Sequence, residues 1–130
     1  MTRRALITTD QKLTEDQLND LKETFGVQEI IYLPQDLKER INHPHPELSE
    51  LKLYIRPVLK YLNRNLNVGD IIVINGDPAA TYLVAHHSLI CGFVPLQPVT
   101  RYEMVEEKLS NGEVRTKKVL KHVKFRKYGT

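Results

Sequence analysis

The sequence predicts an α/β fold, in which a mainly parallel, doubly wound sheet is flanked by helices and followed by a C-terminal β-hairpin. Short apolar segments alternate with segments of helical periodicity, which is typical of parallel crossover units. Residues 71–74 are apolar throughout, as in a strand covered on both faces, and Asn111-Gly112 indicates a tight hairpin turn. With 130 residues, 41% of them apolar, we expect one domain. Its α/β core would span residues 1–101 and its hairpin residues 102–130.

The first third of the chain predicts a strand, a helix and a second strand. Residues 4–9 form the first strand and end in two threonines. Thr14 and Gln17 have the spacing of a capping box, and Gly26 supplies the left-handed residue that ends the helix. Residues 27–33 then form a short apolar strand.

The middle of the chain predicts a long helix, the buried strand already named and another helix. Residues 42–46 contain two prolines and indicate a turn. Apolar residues recur at helical spacing over residues 48–66, where Pro57 either kinks the helix or begins a second helical segment. A helix over residues 78–91 is followed by a strand over residues 93–96.

Polar residues follow three of the predicted strands. In doubly wound sheets, ligands bind outside the carboxyl ends of the strands, so we expect these residues to meet at one rim. The middle loop also opens a helix, whose N-terminus attracts anions. Because this loop lacks the full dinucleotide fingerprint and the phosphate-loop lysine, it predicts only a phosphate-bearing ligand. The residues of the three loops are Thr8 and Thr9, Asn75-Gly76-Asp77, and Thr100-Arg101.

Positive charge is concentrated near the C-terminus. Residues 1–98 carry ten Lys and Arg against twelve Asp and Glu, whereas residues 99–130 carry nine against four. This asymmetry predicts contact with a nucleic acid or nucleotide, with a solvated lysine-rich hairpin as the alternative. Period-two alternation predicts one apolar and one polar face for the second hairpin arm. The apolar face would hold Val119, Val123 and Phe125, and the polar face His122, Lys124, Arg126 and Tyr128.

Other signals argue against a metal, a cofactor or a membrane partner. There is no apolar run of eighteen residues and no signal-peptide core, so we expect a cytoplasmic protein. Cys91 has no partner for a disulfide, and buried packing is favoured over a reactive role. His86 and His87 lie roughly 100° apart on a helix, which disfavours one shared ion. A hydrogen-bonded core position is favoured for His87.

Short blocks along nearly the whole chain carry a family resemblance: Leu13-Thr14 with Gln17, Ile31-Tyr32-Leu33-Pro34, Gly69-Asp70, Gly76-Asp77, Ala80-Thr81-Tyr82, Val94-Pro95, Thr100-Arg101 and His122-Val123-Lys124-Phe125-Arg126. They resemble the small stand-alone ring nucleases of type III CRISPR systems. Two departures from the family pattern bear more on catalysis than on binding. Pro78-Ala79 stands where a bulkier residue and a glycine are expected, and Val99 stands where a second threonine is expected.

The resemblance implies a Rossmann-like fold reduced from the CRISPR-associated Rossmann-fold (CARF) domain, and a homodimer. It implies binding of cyclic oligoadenylates, typically cyclic tetra-adenylate, whose symmetry suits a two-fold dimer. Most such proteins open the ring without a metal or cofactor: a ribose 2′-hydroxyl attacks the adjacent phosphate and gives linear products with 2′,3′-cyclic phosphate ends. Some relatives only bind the messenger, as sensors or sequestering proteins. An unrelated nucleotide- or RNA-binding domain is the third possibility.

The expected catalytic residues are Arg101, Thr100 and His122. Arg101 would stabilise the developing charge, because a guanidinium holds two phosphate oxygens at once. His122 would act as a general acid or base, with a structural histidine on the hairpin as the favoured alternative. The expected ligand-binding residues are Thr8, Thr9, Asn75, Gly76, Asp77, Thr81, Lys124 and Arg126.

Overall fold

Five strands and four helices make up the computed structural model, which describes residues 2–129. The strands lie in the order β2-β1-β3-β4-β5; the first four are parallel, and β5 runs antiparallel to β4. The predicted α/β class, with its mostly parallel sheet and C-terminal antiparallel hairpin, is confirmed. In chain order the elements are β1 (Arg4–Ile7), α1 (Glu15–Glu23), β2 (Glu29–Tyr32), α2 (Gln35–Asn42), α3 (Leu51–Asn65), β3 (Ile71–Val73), α4 (Pro78–Cys91), β4 (Val94–Lys108) and β5 (Val114–Lys127).

Helices cover both faces of the sheet and create two apolar cores. On one face Ile7 packs with Leu21 of α1, and on the other Leu6 packs with Leu62 of α3. Because neighbouring residues of one strand enter different cores, the central strands β1 and β3 are buried at almost every position. Within residues 2–129, no helix is long and apolar enough to cross a membrane.

The helix-end signals of the sequence are confirmed. The Thr14 side chain accepts from the Gln17 amide at 3.2 Å, and the Gln17 side chain accepts from the Thr14 amide at 2.9 Å. Gly26 adopts φ 68°, the left-handed region that ends a helix without strain. The alternatives for Pro57 are also resolved, since α3 runs through it as one helix of 15 residues.

The helix α2 was not predicted. It has eight residues, of which only Ile41 is fully buried, and its N-cap Pro34 forms no side-chain cap. Such a short and polar segment has a weak periodic signal, so its helical state depends on packing against α3 and α4. The turn predicted over residues 42–46 follows directly at its C-terminus.

The expectation that a strand ends at residue 96 is wrong, because β4 continues for 15 residues into the hairpin. The reason for the error is Pro98, because a proline within an apolar segment usually indicates the end of a strand. The Leu96 carbonyl accepts from Ile74 on the β3 side of the strand. By the two-residue alternation of strand backbones, Pro98 faces that same side, where β3 has already ended. Its missing N–H therefore breaks no ladder hydrogen bond, and the hairpin extends the sheet without a break at residue 101.

The hairpin turn predicted at Asn111-Gly112 is confirmed, and it is a three-residue loop rather than a two-residue turn. Leu109 N–H donates to Glu113 O at 2.7 Å and Gly112 N–H donates to Leu109 O at 3.0 Å, which leaves a three-residue loop. A two-residue type I′ turn needs positive φ at both central residues. Here Gly112 has φ 88°, and Asn111 does not have positive φ.

A β-bulge changes the faces predicted for the second hairpin arm. Val99 pairs with Lys124, but the next residue Thr100 pairs with His122, which leaves Val123 unpaired. The expectation that His122 shares a face with Lys124 is therefore wrong. His122 lies on the α1 face, where its ring contacts Phe125 at a centroid distance of 4.7 Å.

Candidate functional site

Two clefts open at the point where the connections of the sheet change direction. The strand order reverses between β1 and β3, and sheets of this order bind ligands at that switch point. Asn75 and Gly76, which follow β3, line both clefts. We call the cleft on the α4 side the aromatic cleft and the one on the α1 side the polar cleft.

The aromatic cleft has a volume of about 490 Å³ and is lined mainly by apolar and aromatic groups. Tyr82 and His86 stack across one turn of α4, with ring centroids 5.8 Å apart and planes 12° apart. Tyr128 forms part of the opposite wall, and its hydroxyl donates to Ile74 O at 2.8 Å, which fixes the ring. Burial raises the pKa of Tyr128, so the phenol stays neutral at physiological pH. Gln97 adds an amide to this apolar surface.

The polar cleft has a volume of about 460 Å³ and holds a different set of groups. Its charged side chains among residues 2–129 are Asp10 and Asp77, and neither Lys nor Arg lines it. Thr9, Asn42, His43 and Thr100 add hydroxyl, amide and imidazole groups. Two carboxylates without a lysine or arginine disfavour a phosphate and favour a ligand that donates hydrogen bonds, such as a sugar hydroxyl.

Several groups expected to bind a ligand are already engaged within the protein. Thr8 is fully buried, and its hydroxyl donates to Val73 O at 2.7 Å, so the expectation of ligand contact by its side chain is wrong. The Thr81 hydroxyl accepts the Gly76 N–H at 3.0 Å. The amide expected to receive an anion is thus occupied by a neighbouring side chain.

The N-terminus of α4 is capped by a carboxylate. Asp77 accepts the N–H of Ala80 at 3.0 Å, and Pro78 occupies the first turn, where its missing N–H has no consequence. The negative charge of Asp77 lies where an anionic ligand was expected. The opening of this helix therefore contributes to the wall of the polar cleft rather than to a free anion site.

Thr100 and Arg101 were expected to act together, but the sheet separates them. Thr100 lines the polar cleft, and because successive strand residues face opposite sides, Arg101 lies on the α4 face. On that face Gln97, Val99 and Arg101 alternate along β4, and Gln97 lines the aromatic cleft. Cross-strand pairing places Arg126 opposite Gln97, Lys124 opposite Val99 and Lys121 opposite Arg101. We call the four exposed cations Arg101, Lys121, Lys124 and Arg126 the basic stripe.

His122 lines neither of the two clefts. Its Nε2 lies 2.7 Å from Asp20 Oδ2 on α1, and its side chain is 5% exposed. Its Nδ1 is buried without a hydrogen-bond partner among the described residues. His122 pairs with Thr100 across the hairpin, but its ring is held by Asp20 and packs on Phe125, which agrees with the structural alternative. Arg101 lies on the opposite face of the sheet from both residues.

The sequence did not reveal the pair of Asp10 and His43, whose side chains form a hydrogen bond between Oδ2 and Nε2 in the polar cleft. The two residues are 33 positions apart, and His43 is the C-cap of the unpredicted α2. Asn42 fixes the end of that helix by donating to Thr8 O at 2.8 Å and to Lys38 O at 2.9 Å. No local pattern indicates this contact, because it depends on how α2 docks.

The remaining histidine and cysteine positions do not form a metal centre. The described part of the chain contains no group of three or more His, Cys, Asp or Glu side chains placed to hold a metal ion. His87 Nε2 lies 2.9 Å from Asn63 Oδ1, which confirms the expected hydrogen bond. The residue is only half-buried, so the expected core position is wrong. Burial, and secondarily the charge of His86, lower the pKa of His87.

Comparison with known proteins gives one family and one curated relative. Residues 3–126 match the family described as the Uncharacterized protein MJ1673 family. The relative is Uncharacterized protein MJ1673 of Methanocaldococcus jannaschii, to which the chain is 31% identical over 117 residues, covering 90% of each protein. No solved structure matches the chain.

Proposed function

The chain belongs to the Uncharacterized protein MJ1673 family, and we propose that it binds a cyclic oligoadenylate, first of all cyclic tetra-adenylate, and opens the ring without a metal ion. In this proposal the fold is a reduced form of the CARF domain. The protein would act in type III CRISPR antiviral defence, where destruction of this messenger switches off the downstream nucleases.

One observation supports the proposal most directly: the aromatic cleft continues into the basic stripe. Adenine bases stack on aromatic side chains, and Lys or Arg side chains attract the phosphates between them. Tyr82 is 64% exposed and available for such stacking. The stripe begins beside Gln97, so cations follow the aromatic surface along β4 and β5. This combination is typical of sites for short single-stranded nucleic acids.

The size of the clefts supports a dimer. Sites of about 300–1,000 Å³ hold one drug-sized ligand, so a ring of four nucleotides extends beyond an aromatic cleft of about 490 Å³. Two copies related by a two-fold axis would present two identical clefts to the two halves of the ring. The proposal therefore includes a homodimer.

The proposed reaction needs positioning and charge stabilisation rather than a metal. Arg101 keeps the role of charge stabiliser, because it belongs to the basic stripe and is free to leave its exposed ion pair with Glu103, 3.0 Å away. Lys124 and Arg126 would hold neighbouring phosphates. Thr100 faces the other cleft and would contact a ribose, whereas His122 has a structural role.

A second candidate function is binding without cleavage. The observation that favours it is that the three expected catalytic residues do not converge on one site. Arg101 lies on the opposite face of the sheet from Thr100 and His122, and the His122 ring is held by Asp20. Such a protein would hold the intact messenger as a sensor or sequestering protein.

One incubation distinguishes these functions. Radiolabelled cyclic tetra-adenylate is mixed with the purified protein in EDTA, the products are separated by chromatography, and retained ligand is measured on a filter. Conversion to linear products with 2′,3′-cyclic phosphate ends is the expected result. Retention of the intact ring would support the binding protein instead. Absence of both binding and conversion would overturn both functions, and retention of a linear oligoadenylate in a parallel arm would then identify an RNA-binding domain.

A further inference from the structure

We propose that His43, oriented by Asp10, is the general base of the ring-opening reaction, taking the proton from a ribose 2′-hydroxyl in the polar cleft. This inference rests on the proposed function and adds the proton acceptor which that function lacks. Neither residue was a candidate from the sequence. The structure brings them together in the polar cleft, which meets the aromatic cleft at a rim formed by Asn75 and Gly76.

The hydrogen bond defines which nitrogen of His43 accepts a proton. An ionised carboxylate is only an acceptor, so the contact with Asp10 Oδ2 requires the imidazole proton to reside on Nε2. Nδ1 then carries the free lone pair. A carboxylate that fixes the tautomer and orients the ring is the usual support of a catalytic histidine.

Backbone contacts at the end of α2 fix the position of His43, in addition to its exposed hydrogen bond with Asp10. His43 is the C-cap of α2, and its N–H donates to Glu39 O at 2.8 Å. The preceding Asn42 ties the helix end to Thr8, the residue that follows β1. Asp77 N–H also donates to Ile41 O at 3.0 Å. The end of α2 is thereby attached to the loops after both β1 and β3, while the His43 side chain remains 61% exposed to solvent.

The chemistry of the polar cleft favours a sugar over a phosphate as the group beside His43. Asp77 and Asp10 would repel a phosphate, whereas they accept hydrogen bonds from hydroxyls. Thr100 and Asn75 offer further hydroxyl and amide groups. With phosphates on the basic stripe and a base in the aromatic cleft, a ribose at the shared rim would present its 2′-hydroxyl to this cleft.

The reaction step balances without a further reactant. His43 Nδ1 takes the 2′-hydroxyl proton as the 2′-oxygen forms a bond to the adjacent phosphorus. The bond from phosphorus to the 5′-oxygen breaks, and that oxygen receives a proton from water. The imidazolium then returns its proton to the solvent, so the product has one 2′,3′-cyclic phosphate and one 5′-hydroxyl.

The test compares His43→Ala with His45→Ala, a matched control because His45 lies in the same turn and does not line the polar cleft. Ring opening is measured in single turnovers with radiolabelled cyclic tetra-adenylate, and affinity is measured separately by filter binding. We expect His43→Ala to bind the ring normally and to open it about 100-fold more slowly or worse. Added imidazole should restore part of the rate, and His45→Ala should equal the wild type.

Further variants separate catalysis from folding and positioning. His43→Gln keeps a polar side chain of similar length and should be as slow as His43→Ala with an unchanged melting temperature. Asp10→Asn should slow the reaction without weakening binding, because Asp10 only positions the imidazole. Asp10→Glu should retain more of the rate than Asp10→Asn.

The outcomes distinguish this inference from the function on which it rests. If the wild type opens the ring and His43→Ala does so equally fast, the inference is overturned and the proposed function stands. If His43→Ala is slow but imidazole never restores activity, the role as a base is overturned. A wild type that binds the ring without opening it overturns the inference and leaves the binding function, and a wild type that does neither overturns both.

Discussion

His122 Nε2 lies 2.7 Å from Asp20 Oδ2, and this contact joins the edge strand β5 to α1 across 102 positions of sequence. Burial by itself would raise the pKa of Asp20. The hydrogen bonds from Thr24 and His122, together with the charge of His122, outweigh it and hold the pKa below its ordinary value. Together with the buried Phe125, the pair attaches β5 to the α1 side of the protein.

Replacing Asp20 with alanine should lower the free energy of unfolding by about 1–3 kcal/mol, because it leaves the buried His122 without its partner. Urea denaturation at neutral pH measures this. Glu23→Ala, an exposed position of the same helix, should change stability much less. Equal effects of the two variants would mean that the buried pair contributes no more than a surface charge.

Lowering the pH should remove the contribution of Asp20 to the free energy of unfolding. Since its pKa is lowered in the folded protein, the stabilisation is complete above the unfolded pKa of about 3.9 and is lost as the pH falls through the lower folded pKa. Urea midpoints between about pH 5 and about pH 2 should therefore fall more steeply for the wild type than for Asp20→Asn. Parallel curves would contradict this assignment.

Arg101→Ala should slow ring opening by about 100-fold, as expected when one donor to the developing charge is removed. Arg115→Ala is the matched control, because Arg115 is equally exposed on the hairpin and has an equivalent ion pair, with Glu107 at 3.3 Å. Single-turnover rates on cyclic tetra-adenylate measure both. A similar decrease in the two variants would indicate only the loss of general positive charge.

Tyr82→Ala should weaken binding of the ring by about 1–3 kcal/mol, the usual contribution of one base stacked on an aromatic side chain. Tyr102→Ala provides the control: Tyr102 is 65% exposed against 64% for Tyr82, and it lines neither cleft. Filter binding with labelled ring measures both affinities. Loss of affinity in the control alone would place the base on the hairpin instead.

Gly76→Ala should destabilise the protein by about 1–3 kcal/mol through overpacking. An added Cβ would lie 2.7 Å from Ile41 O and 2.8 Å from Asn42 Oδ1, so the end of α2 would have to move. Ala79→Ser adds an atom at an exposed position nearby and should be nearly neutral. Urea denaturation compares the two variants. If Gly76→Ala is as stable as the wild type, the end of α2 can move at little cost in free energy.

The features that could be predicted from the sequence depend on neighbouring residues. The capping box of Thr14 and Gln17, the left-handed Gly26 and the buried strand β3 are all encoded within a few positions. The rim formed by the loops after β1 and β3 was also predictable, because parallel strands bring their carboxyl ends together.

The features that could not be predicted depend on register and docking. The bulge at Val123 moves His122 to the other face, and its signal lies only in how β5 pairs with β4. Pro98 is compatible with a strand here because β3 ends before it. The contact between Asp10 and His43 requires α2, whose helical state comes from tertiary packing.

The unbroken course of β4 has a mechanical consequence. Gln97 and Thr100 stand on one continuous strand, three positions apart, and each forms part of a different cleft. The first residues of this strand are fixed by pairing with β3. A displacement of the hairpin tip would therefore be transmitted along the strand to Thr100 and Gln97. The walls that Gln97 and Thr100 contribute to the two clefts would then move together.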